Sequence, residues 1–407
     1  MARPHHSQVD PAADAAALLR RLGFATLMVA VPLTALVARR AVVVLAPIGI
    51  ALLVIAALLD GDHDGLRADL KRILFSAGGL AGGLLLAWAA LSLLWTPFRG
   101  PASERVLNVA ATLAMVLGGY LALPGRMRSA NLYLAPIGIA AAAIAAMVLT
   151  LSDLAIGGGT DEDGAGIERG IVVLVLALWP ALAWLRSRGR DLEALALAVV
   201  VAAAAVLAPV SLPVAALAVG ALAYAVTAIS PRLGVRVTAW AVAGTIALGP
   251  LIPFLLRPLA SLALRRNDPT LANLSAWRRV VSDDPVRLIT GRGFEAASRG
   301  RGSGLLRAEA PTTLPFEIWY DLGLVGAAAA AVVLHVAIRA AGRSHAGIVP
   351  GAMAAFATGF TLACSGVATA QIWWFTTILI VALLFVAVDR GQFRTSRPKA
   401  AFGLPRR

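Results

Sequence analysis

Ten arginines crowd the stretch 257–315: Arg257, Arg265, Arg266, Arg278, Arg279, Arg287, Arg292, Arg299, Arg301 and Arg307. Five acids share it, Asp268, Asp283, Asp284, Glu295 and Glu309, so the stretch carries a net +5. Such an excess suits an anionic ligand, because the planar guanidinium fork donates two hydrogen bonds at once to a phosphate. The alternative is contact between a surface helix and lipid headgroups. Asp268-Pro269 has the form of an N-cap and first residue of a helix running to about Val281. Leu271, Leu274, Trp277 and Val281 fall on one face of it, as in a helix lying on a membrane surface. Asp284-Pro285 caps a second short segment. Gly291-Arg292-Gly293-Phe294 is a turn whose glycines let backbone approach a ligand closely.

The elements that must position this stretch are apolar. Of 407 residues, 59% are hydrophobic and 14% charged, and mean hydropathy is +0.81. Twelve spans of about 20 residues need some 240 apolar residues, which this composition supplies. A soluble fold and a small disulfide scaffold are excluded. The apolar segments are continuous runs rather than alternating strands, so a β-barrel is excluded too. The expected fold is an all-α integral membrane protein of about 12 transmembrane helices. The spans are 22–38, 41–59, 73–95, 105–123, 131–152, 170–185, 192–208, 211–229, 237–256, 316–338, 347–365 and 370–388. Pro209 and Pro213 mark a tight reversal between the seventh and eighth.

Basic residues orient these spans. With the N-terminus in the cytoplasm, the tails and even-numbered loops hold 21 Lys and Arg, against five in the short outer loops. The positive-inside rule counts short loops. Both termini are therefore expected in the cytoplasm, and the large loop between spans nine and ten outside it. The expected organisation is a cytoplasmic N-terminal tail (1–21), a nine-span bundle (22–256), the Arg-rich periplasmic loop with short helices (257–315), three C-terminal spans (316–388) and a basic cytoplasmic tail (389–407). Residues 1–21 hold acids and precede a long apolar run without a convincing cleavage site, which fits a tail better than a signal peptide.

Other features carry less chemistry. Cys364 is alone, so no intramolecular disulfide forms. The net charge of +14 and pI of 11.4 fit topology rather than nucleic-acid binding. Asp60, Asp62, Asp64 and Gly65 match half of a calcium loop, but Lys71 stands where the bidentate Glu belongs. No zinc spacing and no phosphate-binding Gly-rich loop ending in Gly-Lys-Ser/Thr is present, so no metal and no nucleotide cofactor is expected. The stretch 157–166, GGGTDEDGAG, leads as an acidic outer loop to Glu168-Arg169 at the mouth of span six. Trp95, Trp184, Trp319, Trp373 and Trp374 lie at span ends, as an aromatic belt requires. No histidine is expected on the outer side: His5, His6, His63 and His345 are cytoplasmic, and His335 lies near the inner end of span ten.

Three stretches carry a family resemblance. They are LSLLWTPF (91–98), IERGIVVLVLALWP (167–180), and SAWRRVVSDDPVRLITGRGFEA (275–296) followed by PTTLPFEIWYDLGLVGA (311–327). Together they resemble the O-antigen ligase / O-antigen polymerase superfamily of polytopic inner-membrane glycan transferases. Twelve spans with the large outer loop between nine and ten agree with it. By topology the resemblance covers most of the chain, by motif about 60 residues.

The resemblance implies a reaction and its partners. A glycan carried on undecaprenyl diphosphate is transferred at the periplasmic face of the bacterial inner membrane to lipid A-core or to another surface glycan. The diphosphate is a good leaving group, so neither metal nor cofactor is required. The protein must stabilise diphosphate charge and supply a base for the acceptor hydroxyl. Arg169, Arg278, Arg279 and Arg292 are the expected diphosphate ligands. The chain departs from the family at the base, because the family's His-Asn falls on Thr312-Thr313. Glu317 and Asp321, at i,i+4 in the first turns of span ten, are the candidate catalytic carboxylates, with helix capping as their alternative role. The other readings are polymerase rather than ligase activity, and a non-catalytic transporter or flippase of lipid-linked glycans. A transporter wants polar groups at mid-span, whereas charge here concentrates at the outer rim.

Overall fold

The computed structural model describes residues 11–38, 40–61, 66–152, 162–209, 211–263, 268–366 and 371–392. Asp62, Asp64 and Gly65 of the partial calcium-loop match, most of the acidic stretch 157–166, Arg265, Arg266 and most of both tails lie outside the described residues. The described residues are helical and form no strand.

Nineteen helices follow in order among the described residues. The first part of the bundle is α1 (Pro11–Ala25), α2 (Val31–Ala35), α3 (Ala41–Asp60), α4 (Leu66–Leu74), α5 (Ala77–Leu91), α6 (Arg99–Ala122), α7 (Ser129–Leu132), α8 (Leu134–Leu151), α9 (Glu162–Ser187), α10 (Asp191–Leu207), α11 (Leu212–Ile229) and α12 (Pro231–Ala247). The loop region holds α13 (Ile252–Ala263), α14 (Pro269–Asp283), α15 (Arg287–Thr290) and α16 (Ala296–Ser303). The chain returns to the bundle with α17 (Leu314–Ala341), α18 (Val349–Cys364) and α19 (Ile372–Arg390).

Among the described residues, nine helices are long and apolar enough to cross a membrane, and ten if the bent pair α12–α13 counts as one span. The molecule is thus an all-α, multi-pass membrane protein. The helices α10 and α18, of 17 and 16 residues, fall short of that length.

The core forms around α9, whose residues 170–185 are buried without interruption. A helix apolar all round is stable only when neighbours enclose it, and α2, α8, α10, α18 and α19 pack against this one. At the other extreme, only 11% of the apolar windows of α5 and α6 is buried, against 89% for α9. The pair α5–α6 therefore stands at the edge of the bundle.

Three features differ from the sequence expectation. The first helix begins at Pro11, not near residue 22, because the Ala-rich run PAADAAALLRRLG is strongly helix-forming. It runs through a π-turn at Thr26–Ala30 into α2, and Arg20 on it ion-pairs with Asp60 at the end of α3. Span nine, expected at 237–256, is broken instead by 72° between Ala247 and Gly249. Pro250 removes a backbone donor there and clashes with the preceding turn. The Trp319 Nε1–H donates to the Ile246 carbonyl at 2.6 Å, which satisfies backbone next to the break. Finally, the apolar face of α14 packs against protein. Leu274 and Trp277 are buried, and Trp277 packs edge-on against Phe316 at 5.6 Å.

Candidate functional site

Helix α17 is itself interrupted. Gly323 adopts φ 62, ψ −157 inside it, a conformation open only to glycine. A broken helix at membrane depth frees backbone groups that other parts of the protein must satisfy. Trp88 Nε1–H, from α5, donates to the Leu322 carbonyl at 2.8 Å. The turn 291–294 provides the rest. Arg292 N–H donates to the Tyr320 carbonyl at 2.8 Å, and Gly293 N–H to the Asp321 carbonyl at 2.9 Å. The approach is so close that a Cβ on Gly291 would lie 2.2 Å from the Asp321 oxygen. The expected turn thus exists, and Gly291 lets its backbone approach α17 closely.

The far side of the turn is tied to the segment that follows α5. Thr96 Oγ1 donates to the Phe294 carbonyl at 2.9 Å, and Phe294 N–H donates to Ser92 Oγ at 3.0 Å. Gly293, at φ 96, leaves no room for a side chain, since a Cβ would meet the Thr96 Cα at 2.5 Å. The stretch LSLLWTPF and the Gly-x-Gly-Phe turn, far apart in sequence, therefore form one joint.

Asp321 completes the joint from α17. One carboxylate oxygen accepts the Glu295 N–H at 3.0 Å and the other the Ala297 N–H at 2.6 Å. These are the first donors of α16, so Asp321 serves as its cap from outside the helix. Glu295 sits at φ 68, the only non-glycine residue at positive φ among those described, and is 6% exposed. Its side chain ion-pairs with Arg105 of α6 at 3.0 Å and with Arg299 at 3.6 Å, and accepts from Ser298 Oγ at 2.7 Å. A strained, buried acid held by so many partners marks a position the fold over-determines.

Beneath this cluster lies a cavity of about 370 Å³ between α5, α6, α17 and α19. Its depth is apolar, with Leu85, Val109, Leu113, Val333 and Phe375 among the walls. Its charged end gathers Arg105, Glu295, Glu317 and Asp321. Glu317 reaches Arg301 at 3.3 Å, and Arg301 also donates to the Pro311 carbonyl at 2.9 Å. Because α5 and α6 form the edge of the bundle, the cavity borders the apolar surroundings as well as the loop region.

Both candidate carboxylates, Glu317 and Asp321, line this cavity. The four candidate arginines do not. Arg292 is on the turn beside it, with its guanidinium 5.2 Å from the Tyr320 ring centroid and 3.4 Å from Asp284. Arg278 lies over Phe254 at 5.5 Å. Arg279 lines a separate concavity with Arg257 and Arg307. Arg169 packs near the end of α2, within the first turns of α9. Arg105, Asn108 and Arg301 were missed as site residues. Arg105 opens a span and counts there as a topology charge; only the fold shows it facing Glu295. Thr312 is exposed, while the Thr313 hydroxyl is buried and has no hydrogen-bond partner among the described residues.

No family model, no curated protein and no solved structure matches this chain.

Proposed function

We propose that the chain is a bacterial inner-membrane glycosyltransferase of the O-antigen ligase type. It would move a glycan from undecaprenyl diphosphate to lipid A-core or another surface glycan at the periplasmic face. The observation that carries this reading is the cavity at the bundle edge, with mostly apolar walls and Arg105, Glu295, Glu317 and Asp321 at one end. A lipid-linked glycan has the complementary form, an isoprenoid chain joined to a charged diphosphate and a polar sugar. In this topology α1–α2, α3, α5, α6, α8, α9, α10, α11, α12, α17, α18 and α19 make twelve crossings, with both termini cytoplasmic and α13 to α16 outside.

The chemistry then divides among named groups. Glu317 takes the proton of the acceptor hydroxyl, and that oxygen attacks the anomeric carbon. The anomeric carbon–oxygen bond breaks, and undecaprenyl diphosphate leaves with the electron pair. Arg105 and Arg292 offset the charge that develops on the diphosphate, and Arg301 orients Glu317. Asp321 acts as a positioning residue, since both of its oxygens hold backbone N–H groups. Arg169 and Arg278 belong to the reading as more distant contacts to the glycan or its carrier, whereas Arg279 lines a separate concavity and has no part in the transfer step.

The test compares surface glycans of a deletion strain with its complemented parent, resolving lipopolysaccharide and undecaprenyl-linked glycans. Polymer lost from lipid A-core and accumulating on undecaprenyl diphosphate is the ligase outcome. Single repeat units in place of polymer indicate a polymerase. Complementation by Glu317→Gln or Arg105→Ala at normal protein level removes that residue from the mechanism, and an unchanged profile in both fractions rejects the reading.

A further inference from the structure

A second concavity, sharing no lining residue with the first, lies between α13, α14 and the segment before α17. It measures about 920 Å³ and is lined by Arg257, Ser261, Asp268, Ser275, Arg279, Arg307 and Glu309, among others. Arg257 Nε–H donates to Ser275 Oγ at 3.0 Å. Neither Arg279 nor Arg307 has an ion-pair partner among the described residues. The Asp268 carboxylate is turned onto the Thr270 N–H at 2.8 Å. The basin thus presents three guanidinium groups, two without an ion-pair partner among the described residues and a third tied to a hydroxyl, offset by the carboxylates of Asp268 and Glu309.

The helix that walls this basin is amphipathic. On α13, Leu255, Leu259 and Leu262 fall on one side and are 63%, 63% and 86% exposed. Arg257 and Ser261, one turn apart, fall on the opposite side and face the basin. The helix leaves α12 at 72°, so it departs from the direction of a spanning helix just where that span ends. Two contacts fasten it to α14: the Arg257–Ser275 bond and Arg278 over the Phe254 ring. A helix with one bare leucine face and one arginine-bearing face, attached to the end of a span, has the form of an interfacial helix.

We propose that α13 lies in the membrane–water interface and that the Arg257–Arg279–Arg307 basin binds the phosphate of an anionic phospholipid of that leaflet. The leucine face enters the acyl boundary, and the basin then stands at headgroup depth. Guanidinium forks take the phosphate oxygens in pairs, and unpaired arginines near a membrane surface attract anionic lipid. The assignment does not depend on the transfer reaction proposed above.

The experiment uses the full chain, equilibrated in vesicles of equimolar phosphatidylglycerol and phosphatidylcholine and extracted in mild detergent. Retained lipid is counted by mass spectrometry. The wild type should retain phosphatidylglycerol over phosphatidylcholine. Arg279→Ala with Arg307→Ala should lower phosphatidylglycerol retention on the order of tenfold and leave phosphatidylcholine unchanged. The Lys counterparts, Arg279→Lys with Arg307→Lys, should keep part of the preference, which shows that loss in the Ala variant is not misfolding. Added inorganic phosphate should not displace the lipid, and Leu259→Ser with Leu262→Ser should weaken it. Unchanged retention in the double Ala variant overturns the proposal. Equal loss of both lipids in the Ala and Lys variants also overturns it. Complete displacement by inorganic phosphate, with no effect of the serine pair, makes the basin a site for a free anion and sinks the lipid assignment.

Discussion

The Asp321 carboxylate accepts the backbone N–H of Glu295 at 3.0 Å, while the Glu295 side chain ion-pairs with Arg105 at 3.0 Å. Three elements distant in sequence, α6, the 291–297 turn and the broken part of α17, are thus joined through two acids and one base. Asp321 fixes the backbone, and Glu295 carries the connection on to the cavity wall.

Asp321→Ala should loosen this joint before it touches any chemistry. It strands the N–H groups of Glu295 and Ala297, each a buried donor whose loss of partner costs about 1–3 kcal/mol. Thermal unfolding in detergent should show a clear drop, and Asp321→Asn, which keeps one acceptor oxygen, should fall in between. Equal stability of Asp321→Ala and the wild type would refute the capping role.

Arg105→Ala should destabilise more than a surface arginine change. It leaves the buried Glu295 carboxylate with the Ser298 hydroxyl and the more distant, exposed Arg299, and breaking a buried pair costs about 3–5 kcal/mol. Adding Glu295→Gln to that variant should restore part of the loss, because the uncompensated charge is gone. A double-mutant cycle of unfolding midpoints measures the coupling.

Gly323→Ala should be poorly tolerated. The residue has positive φ, and a Cβ there would lie 2.5 Å from the Gly291 nitrogen and 2.6 Å from the Ile289 oxygen. The strain alone is worth about 1–3 kcal/mol, and the clash is with backbone that cannot swing away. Low yield of folded protein is expected, whereas Gly82→Ala, which meets nothing within 4 Å, should express normally.

Asp268 predicts a local pH response. The Thr270 hydroxyl and then the Thr270 N–H hold its carboxyl below the ordinary carboxylate range. A depressed folded pKa means that the cap stabilises α14 at pH values above the unfolded pKa, and that this contribution is lost as pH falls through the folded one. Protection of the amides at the start of α14, taken relative to their intrinsic exchange rate at each pH, should therefore fall under acid, and Asp268→Ala should show the lower protection already at neutral pH. Protection that does not change with pH in the wild type would refute the cap.

Much of this molecule follows from local sequence. Continuous apolar runs require membrane helices, because only internal hydrogen bonding satisfies backbone in lipid. Asp268-Pro269 opens α14 where expected, since an Asx cap and N1 proline act within a few residues. The turn at Gly291 and Gly293 is equally local in origin. Glu317 and Asp321 share one cavity because four residues on a helix bring side chains to one face.

What only the tertiary structure decided is which partner each of these features meets. The leucine–tryptophan face of α14 suits a membrane surface or a protein core equally well, and Phe316 makes it core. Span nine has the composition of one span, yet it breaks before Gly249-Pro250 and frees α13 as a separate amphipathic helix. The arginines of the loop are alike in type, but the fold sends Arg279 to one basin and Arg292 to the α17 joint, and brings Arg105 from another helix to Glu295. Charge counts in one dimension give an excess and its sign. The pairing of those charges depends on contacts between helices about 190 residues apart, which local pattern does not encode.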